Sequence, residues 1–136
     1  MSKAIPHVQK YMTTTPHSIG YDQTLRTASE IMEANRIRHL PVLHGGKLVG
    51  VLSDRDLKMA MGIVGVDADK TTVEDIASEE VYLTSPDAPI DEVARQMSER
   101  RLGSALVVDN HKLVGIFTTT DALRALDDLL HTRLKG

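Results

Sequence analysis

A chain of 136 residues with a formal charge of −3 and no cysteine has room for one compact domain. The charge argues against a nucleic-acid partner, since non-specific phosphate binding comes from a surplus of Lys and Arg. The missing cysteines exclude disulfides, thiolate catalysis and cysteine-based zinc sites. Residues 1–20 hold Lys3, Pro6, His7, Lys10 and Pro16 without an apolar core, so they do not read as a signal peptide. No apolar run approaches the roughly 18–20 residues that cross a bilayer. The expectation is a cytoplasmic protein with no membrane contact.

In chain order, Val8 and Met12 make one apolar edge of a short helical turn. Thr13-Thr14-Thr15-Pro16 ends it, because the residue before a proline is pushed out of the helical region. His17-Ser18-Ile19 reads as extended. Between Thr24 and about Asn35, Leu25, Ala28 and Met32 form a helical stripe. Two apolar runs follow, Leu40-Pro41-Val42-Leu43 and Leu48-Val49-Gly50-Val51-Leu52, split by His44-Gly45-Gly46-Lys47. Gly-Gly supplies the positive φ that a hairpin turn requires. Runs this apolar predict a sheet covered on both faces. A second helix carries Leu57, Ala60 and Met61. Residues 62–72, with two glycines among small and acidic residues, read as a linker.

The same order then recurs 65 residues on. Lys47-Leu48-Val49-Gly50-Val51-Leu52-Ser53-Asp54-Arg55-Asp56 is matched by Lys112-Leu113-Val114-Gly115-Ile116-Phe117-Thr118-Thr119-Thr120-Asp121. The offset also places Val8 on Val73, Met32 on Met97, Arg36 on Arg101 and Ala60 on Ala125. The second copy has its helical stripe at Ile90, Val93, Ala94 and Met97, with Pro89 suited to the first helical position. Its hairpin joins Ala105-Leu106-Val107-Val108 to Leu113–Phe117 through Asp109-Asn110-His111-Lys112. Its last helix carries Leu123, Leu126 and Leu130 as the core stripe and could run on to Leu134. Leu129 and Leu134 are more apolar surface than one stripe needs. The prediction is an α/β (α+β) fold of two βαββα repeats, at about residues 8–61 and 73–126, with a helical tail to 136. Each half is marginal alone by surface-to-volume scaling, so the two bury their apolar faces together.

Chemistry concentrates where each repeated strand ends and a helix begins. Gly50-x-x-Ser53-x-x-Asp56 and Gly115-x-x-Thr118-x-x-Asp121 place a small residue, a hydroxyl and a carboxylate at fixed spacing. One reading is a capping box, with the hydroxyl accepting a backbone N–H and the acid favouring the helix dipole. The other is a binding turn. Free N–H groups suit an anion, the carboxylate takes both hydroxyls of a ribose, and the glycine admits a flat ring. No metal site is expected. Asp54 and Asp56 do not share a helix face, and the six histidines show no H-x-x-x-H spacing. No nucleophile–base pair or cofactor loop appears either, which argues against an enzyme.

The order T-x-P-x-x-I, amphipathic helix, R-H-L-P-V, G-G-K-L-V-G-V-L-S-D-R-D resembles the cystathionine-β-synthase (CBS) domain, from Val8 to about Leu126. Two in tandem resemble a Bateman module, in which the repeats pack with pseudo-two-fold symmetry. The resemblance implies a non-catalytic sensor that requires no cofactor. It would bind AMP, ADP or ATP, or behind them S-adenosylmethionine, in clefts between the repeats. By the same resemblance Asp56 and Asp121 hold ribose hydroxyls, with Ser53 and Thr118 beside them. Arg38 and His39 reach phosphate. Ser78, Tyr82 and Leu102 pack the base at Asp56, and Thr13, His17 and Ile37 at Asp121. Gly103-Ser104 replaces Arg38-His39 in the second copy and cannot neutralise a phosphate, so if one cleft alone takes a nucleotide it is that of Asp56, with a neutral nucleoside or nothing at Asp121. The resemblance further implies a homodimer, with output passed to a separate partner protein. The competing function is a scaffold whose clefts stay empty.

Overall fold

Eleven regular elements follow in the computed structural model, which describes residues 4–134. They are β1 (Thr13–Thr14), β2 (Ile19–Gly20), α1 (Leu25–Asn35), β3 (His39–His44), β4 (Lys47–Ser53), α2 (Asp54–Met61), β5 (Leu83–Thr84), α3 (Ile90–Arg100), β6 (Ser104–Asp109), β7 (Lys112–Thr118) and α4 (Thr119–Leu134). Short 3-10 turns at Val8–Lys10 and Val73–Asp75 precede the two copies of the repeat. No helix among the described residues is long and apolar enough to cross a membrane.

The elements gather into two compact units, residues 17–81 and residues 1–16 with 82–136. Their borders fall inside the repeats, so the opening stretch of each copy belongs to the unit built on the other copy's hairpin. In the unit of 17–81, Val73 donates to the Gln23 carbonyl at 2.9 Å and is fully buried. Ser78 and Val51 exchange both backbone hydrogen bonds, at 2.9 and 3.0 Å. In the other unit Val8 donates to the Ala88 carbonyl at 2.8 Å, and β1 pairs antiparallel with β7. The register is the same in both, since Thr13 faces Ile116 as Ser78 faces Val51.

Each unit has its own sheet and core. The unit of 17–81 orders its strands β2-β3-β4 over Leu25, Met32, Leu40, Val42, Leu52 and Leu57. The other orders them β1-β7-β6-β5 around Val8, Ile90, Val93, Val107 and Phe117. Both hairpins turn through two residues of positive φ, Gly45-Gly46 and Asn110-His111, as the right-handed twist of paired strands demands. Both carry a bulge at the same place. Val42 faces Gly50 and Leu43 faces Leu48, which leaves Val49 as the extra residue. Val114 is its counterpart.

Three expectations need correction. Leu123, Leu126 and Leu130 are exposed by 50–62%. The face of α4 turned to the core carries Ala122 and Ala125 instead. Pro89 is the cap before α3 rather than its first residue. The glycines of the repeated stretch each leave room for a neighbouring segment. A Cβ on Gly50 would meet the Ser78 carbonyl oxygen at 2.7 Å, and one on Gly115 the Met12 sulfur at 2.5 Å. Residues 62–72 are also more than a tether, since Ala68 and Thr71 accept from the first turn of α1 at 3.0 Å. The apolar surplus expected at Leu134 lies outside the described side chains.

Equal truncations separate these roles. Val8→Ala, which empties a fully buried site, should cost about 2 kcal/mol in urea unfolding, two methyl groups and a small cavity. Val64→Ala, at a fully exposed position, should stay within about 0.5 kcal/mol of the parent.

Candidate functional site

The repeated turn is built alike in both units up to its last residue. α2 begins where Asp54 donates to the Arg38 carbonyl at 2.7 Å, and α4 where Thr119 donates to the Gly103 carbonyl at 3.1 Å. Each junction therefore ties the helix to the residue just before the neighbouring strand. Ser53 Oγ accepts from the Asp56 amide at 3.1 Å, and Thr118 Oγ1 accepts from the Asp121 amide at 3.3 Å. The hydroxyls are caps in both copies, as the spacing predicts.

The carboxylates then part company. Asp121 is 3% exposed, and its Oδ2 receives the Thr118 amide at 2.9 Å and the Thr118 hydroxyl at 3.1 Å. Its Oδ1 receives the Arg124 guanidinium at 3.1 Å. Both oxygens serve the cap and the ion pair, which closes a reciprocal capping box. Asp56 lies exposed on the first turn of α2, and its carboxylate meets no donor among the described residues. Lys58, on the same helix, pairs with the other acid, Asp54, at 3.1 Å. One copy of the motif has spent its carboxylate on folding, and the other holds it in reserve.

The unit of 17–81 also holds Arg38, His39 and Ser78, tied by their backbones or ladder positions to Asp54, Ser53 and Val51 of the same strand and helix. His39 stands opposite Ser53 across the β3–β4 ladder. Arg38 is exposed, and its guanidinium forms no ion pair among the described residues. The half-buried imidazole of His39 has its pKa lowered, first by burial and then by the Arg38 charge, with Asp54 opposing. It is therefore a neutral ring beside a free cation. Ser78 is fixed by its bridge to Val51, and its hydroxyl accepts from the Glu80 amide at 3.2 Å.

His17 and Ile37, expected beside Asp121, belong to the unit of 17–81. There Ile37 donates to the Met32 carbonyl and packs against the core. Thr13 shares Asp121's unit and pairs with Ile116. Tyr82 and Leu102, expected beside Asp56, also fall in the unit of 1–16 and 82–136. The Tyr82 carbonyl accepts from Leu106 at 2.8 Å, with the Arg100 guanidinium 5.3 Å from its ring centre. Leu102 is tied to the Met97 carbonyl at 2.9 Å. A further contact, unforeseen from the sequence, joins the Tyr11 hydroxyl to the Asp128 carboxylate. These residues stand 117 positions apart, and no local pattern could have paired them.

Comparison with known proteins identifies the fold. The family model of the CBS domain matches residues 8–63 and again 73–128. A Vibrio cholerae protein described as an acetoin utilization protein, AcuB, superposes with a TM-score of 0.85 at 31% identity, covering 98% of each chain. The CBS domain pair of protein MJ0100, solved with 5′-methylthioadenosine and S-adenosyl-L-methionine, gives 0.82 at 29% identity over 92% of this chain and 98% of that one. CBSX2, solved with AMP, gives 0.79 at 25% identity over 91% and 98%.

Two stability measurements follow from the asymmetric turn. Asp121→Ala, which opens a buried cap and leaves Arg124 without its partner, should cost about 1–3 kcal/mol in urea unfolding. Asp56→Ala should cost distinctly less, since no donor is orphaned. Because His39 is lowered in the folded protein, the unfolded chain binds its proton first as pH falls. The stability held by the neutral ring is complete above the unfolded value of about 6.5 and is lost as pH falls through the folded one. Unfolding midpoints taken across that range should drop on acidification, and His39→Gln should flatten the drop.

Proposed function

The chain belongs to the CBS domain family, as a tandem pair of repeats, and from that premise we propose a non-catalytic regulatory module that binds an adenosine-containing ligand at the Ser53–Asp56 turn. The observation that carries this reading is the unused, exposed carboxylate of Asp56, set against the closed cap at Asp121. The ligands held by MJ0100 and CBSX2 are 5′-methylthioadenosine, S-adenosyl-L-methionine and AMP. All three share a ribose with neighbouring hydroxyls, two donors that match the two oxygens of one carboxylate. Arg38 supplies the charge that favours a nucleotide over a nucleoside, through the fork of donors that suits phosphate. His39, neutral by burial, hydrogen-bonds without adding charge. AMP, ADP and ATP therefore stand ahead of S-adenosylmethionine, whose sulfonium would meet a guanidinium.

The exposed stripe Leu123, Leu126 and Leu130 supports self-association as a second property. It lies at helical spacing on α4 beside an apolar groove of about 250 Å³ lined by Ile5, Pro6, Ile90, Ala94, Leu126 and Leu129. We read this face as the contact of a homodimer.

Titration calorimetry tests the ligand. A hydrogen bond to a charged group is worth about 1.5–3 kcal/mol, so Asp56→Ala should weaken AMP by roughly 10- to 150-fold. Arg38→Ala should weaken AMP more than adenosine. Equal affinity in the folded Asp56→Ala protein would reduce Asp56 to a helix-dipole partner. For the dimer, Leu126→Glu should turn a dimer into a monomer in sedimentation, and a monomeric parent would contradict the reading.

A further inference from the structure

The two hairpins correspond residue for residue, but what fills the space beside their bulges does not. Over Gly115 lies the Met12 side chain, whose sulfur, methyl and Cγ all come within 3.0 Å of a Cβ built on that glycine. The residue 65 positions after Met12 is Ala77. Over Gly50 the Ala77 methyl is the nearest side-chain atom, 3.7 Å from where a Cβ would stand. Where the thioether would lie, the unit of 17–81 has a cavity of about 230 Å³.

The lining of that cavity is chemically specific. Val42, Gly50 and Ala77 give it an apolar floor. Tyr21 and His44 make one wall, their rings stacked with centres 3.8 Å apart and planes 28° from parallel. Glu74 and Glu79 line it too, and no lysine or arginine does. The frame is fixed by backbone: Glu74 donates to the Tyr21 carbonyl at 3.1 Å, and the Ser78–Val51 bridge holds Ala77 and Glu79 against β4. The counterparts of Tyr21, His44, Glu74 and Glu79 in the other copy are Pro86, Asp109, Gln9 and Thr14. Neither the ring pair nor the carboxylate pair is inherited from the repeat.

We propose that this cavity is a second ligand site, for a small flat organic cation carrying one aromatic ring and a short amine. It lies toward the hairpin end of β4, with Gly50 about 10 Å along the strand from Ser53. A cavity of about 150 Å³ holds benzene, so this one takes a ring with an aminomethyl arm. The apolar floor and ring wall desolvate the aryl group, and the two lining carboxylates attract the ammonium. An anion of the same shape meets the same walls with the wrong charge.

Benzylamine is the probe, with benzoate and benzyl alcohol as its anionic and neutral counterparts, followed in two-dimensional amide NMR spectra of the full chain. Benzylamine should give saturable shifts centred on His44, Gly50 and Ala77. Benzyl alcohol should bind at least about tenfold more weakly, and benzoate should give no saturable shift. Ala77→Met should cut benzylamine affinity at least about tenfold by filling the space as Met12 fills its own. The paired change Glu74→Gln and Glu79→Gln, at exposed positions that leave the core untouched, should remove the preference for benzylamine over benzyl alcohol. Shifts that fail to saturate, that benzoate reproduces, or that survive both variants would overturn the site.

Discussion

A strand that runs straight into a helix leaves the first amides of that helix without partners, and both copies of this chain meet the demand with a hydroxyl. Ser53 and Thr118 therefore each give one acceptor position to the helix. The freedom that remains lies in the carboxylate three residues on. At Asp121 the carboxylate returns to the Thr118 amide and is locked by Arg124. At Asp56 it does not return. Duplication supplied two equivalent turns, and the difference between them separates a structural acid from one available for recognition.

The chain path adds a second constraint. Because Val8 is buried in one core and Val73 in the other, neither copy of the repeat completes a core with its own opening stretch. Each unit borrows a 3-10 turn and an edge of strand pairing from the far copy. Small cores of this size are marginal, and removal of either opening stretch would strip a fully buried valine from the opposite unit. The exchange also carries Ser78 to β4, where its backbone closes over Gly50. The glycine thus serves the close passage of a neighbouring chain segment.

Much of this was legible in the residues. The 65-residue repeat, the helical stripe of each first helix and the two hairpins follow from periodicity and turn chemistry, and the CBS-like order of motifs gives the fold. The last helix was misread for a definable reason. Leu123, Leu126 and Leu130 interleave with Ala122, Ala125 and Leu129, and bulk favours the first set although a close-packed helix buries the small one. The ends of α1 and α3 gave no warning, because Arg36 and Arg101 adopt the left-handed conformation usually left to glycine. The fate of Asp121 was hidden because its spacing to the hydroxyl is that of Asp56. Only burial and the reach of Arg124 separate them. The exchange of Met12 for Ala77 is visible in the sequence, but its consequence needs the packing around Gly50.

The central claim is that the free carboxylate of Asp56 holds both hydroxyls of a ribose. The most direct measurement compares AMP with 2′-deoxy-AMP on the parent protein and on Asp56→Asn, as a thermodynamic cycle. The account predicts that the parent discriminates against the deoxy ligand by about tenfold or more, the loss of one charge-assisted hydrogen bond, and that Asp56→Asn loses most of that discrimination. The same ratio in both proteins would contradict it.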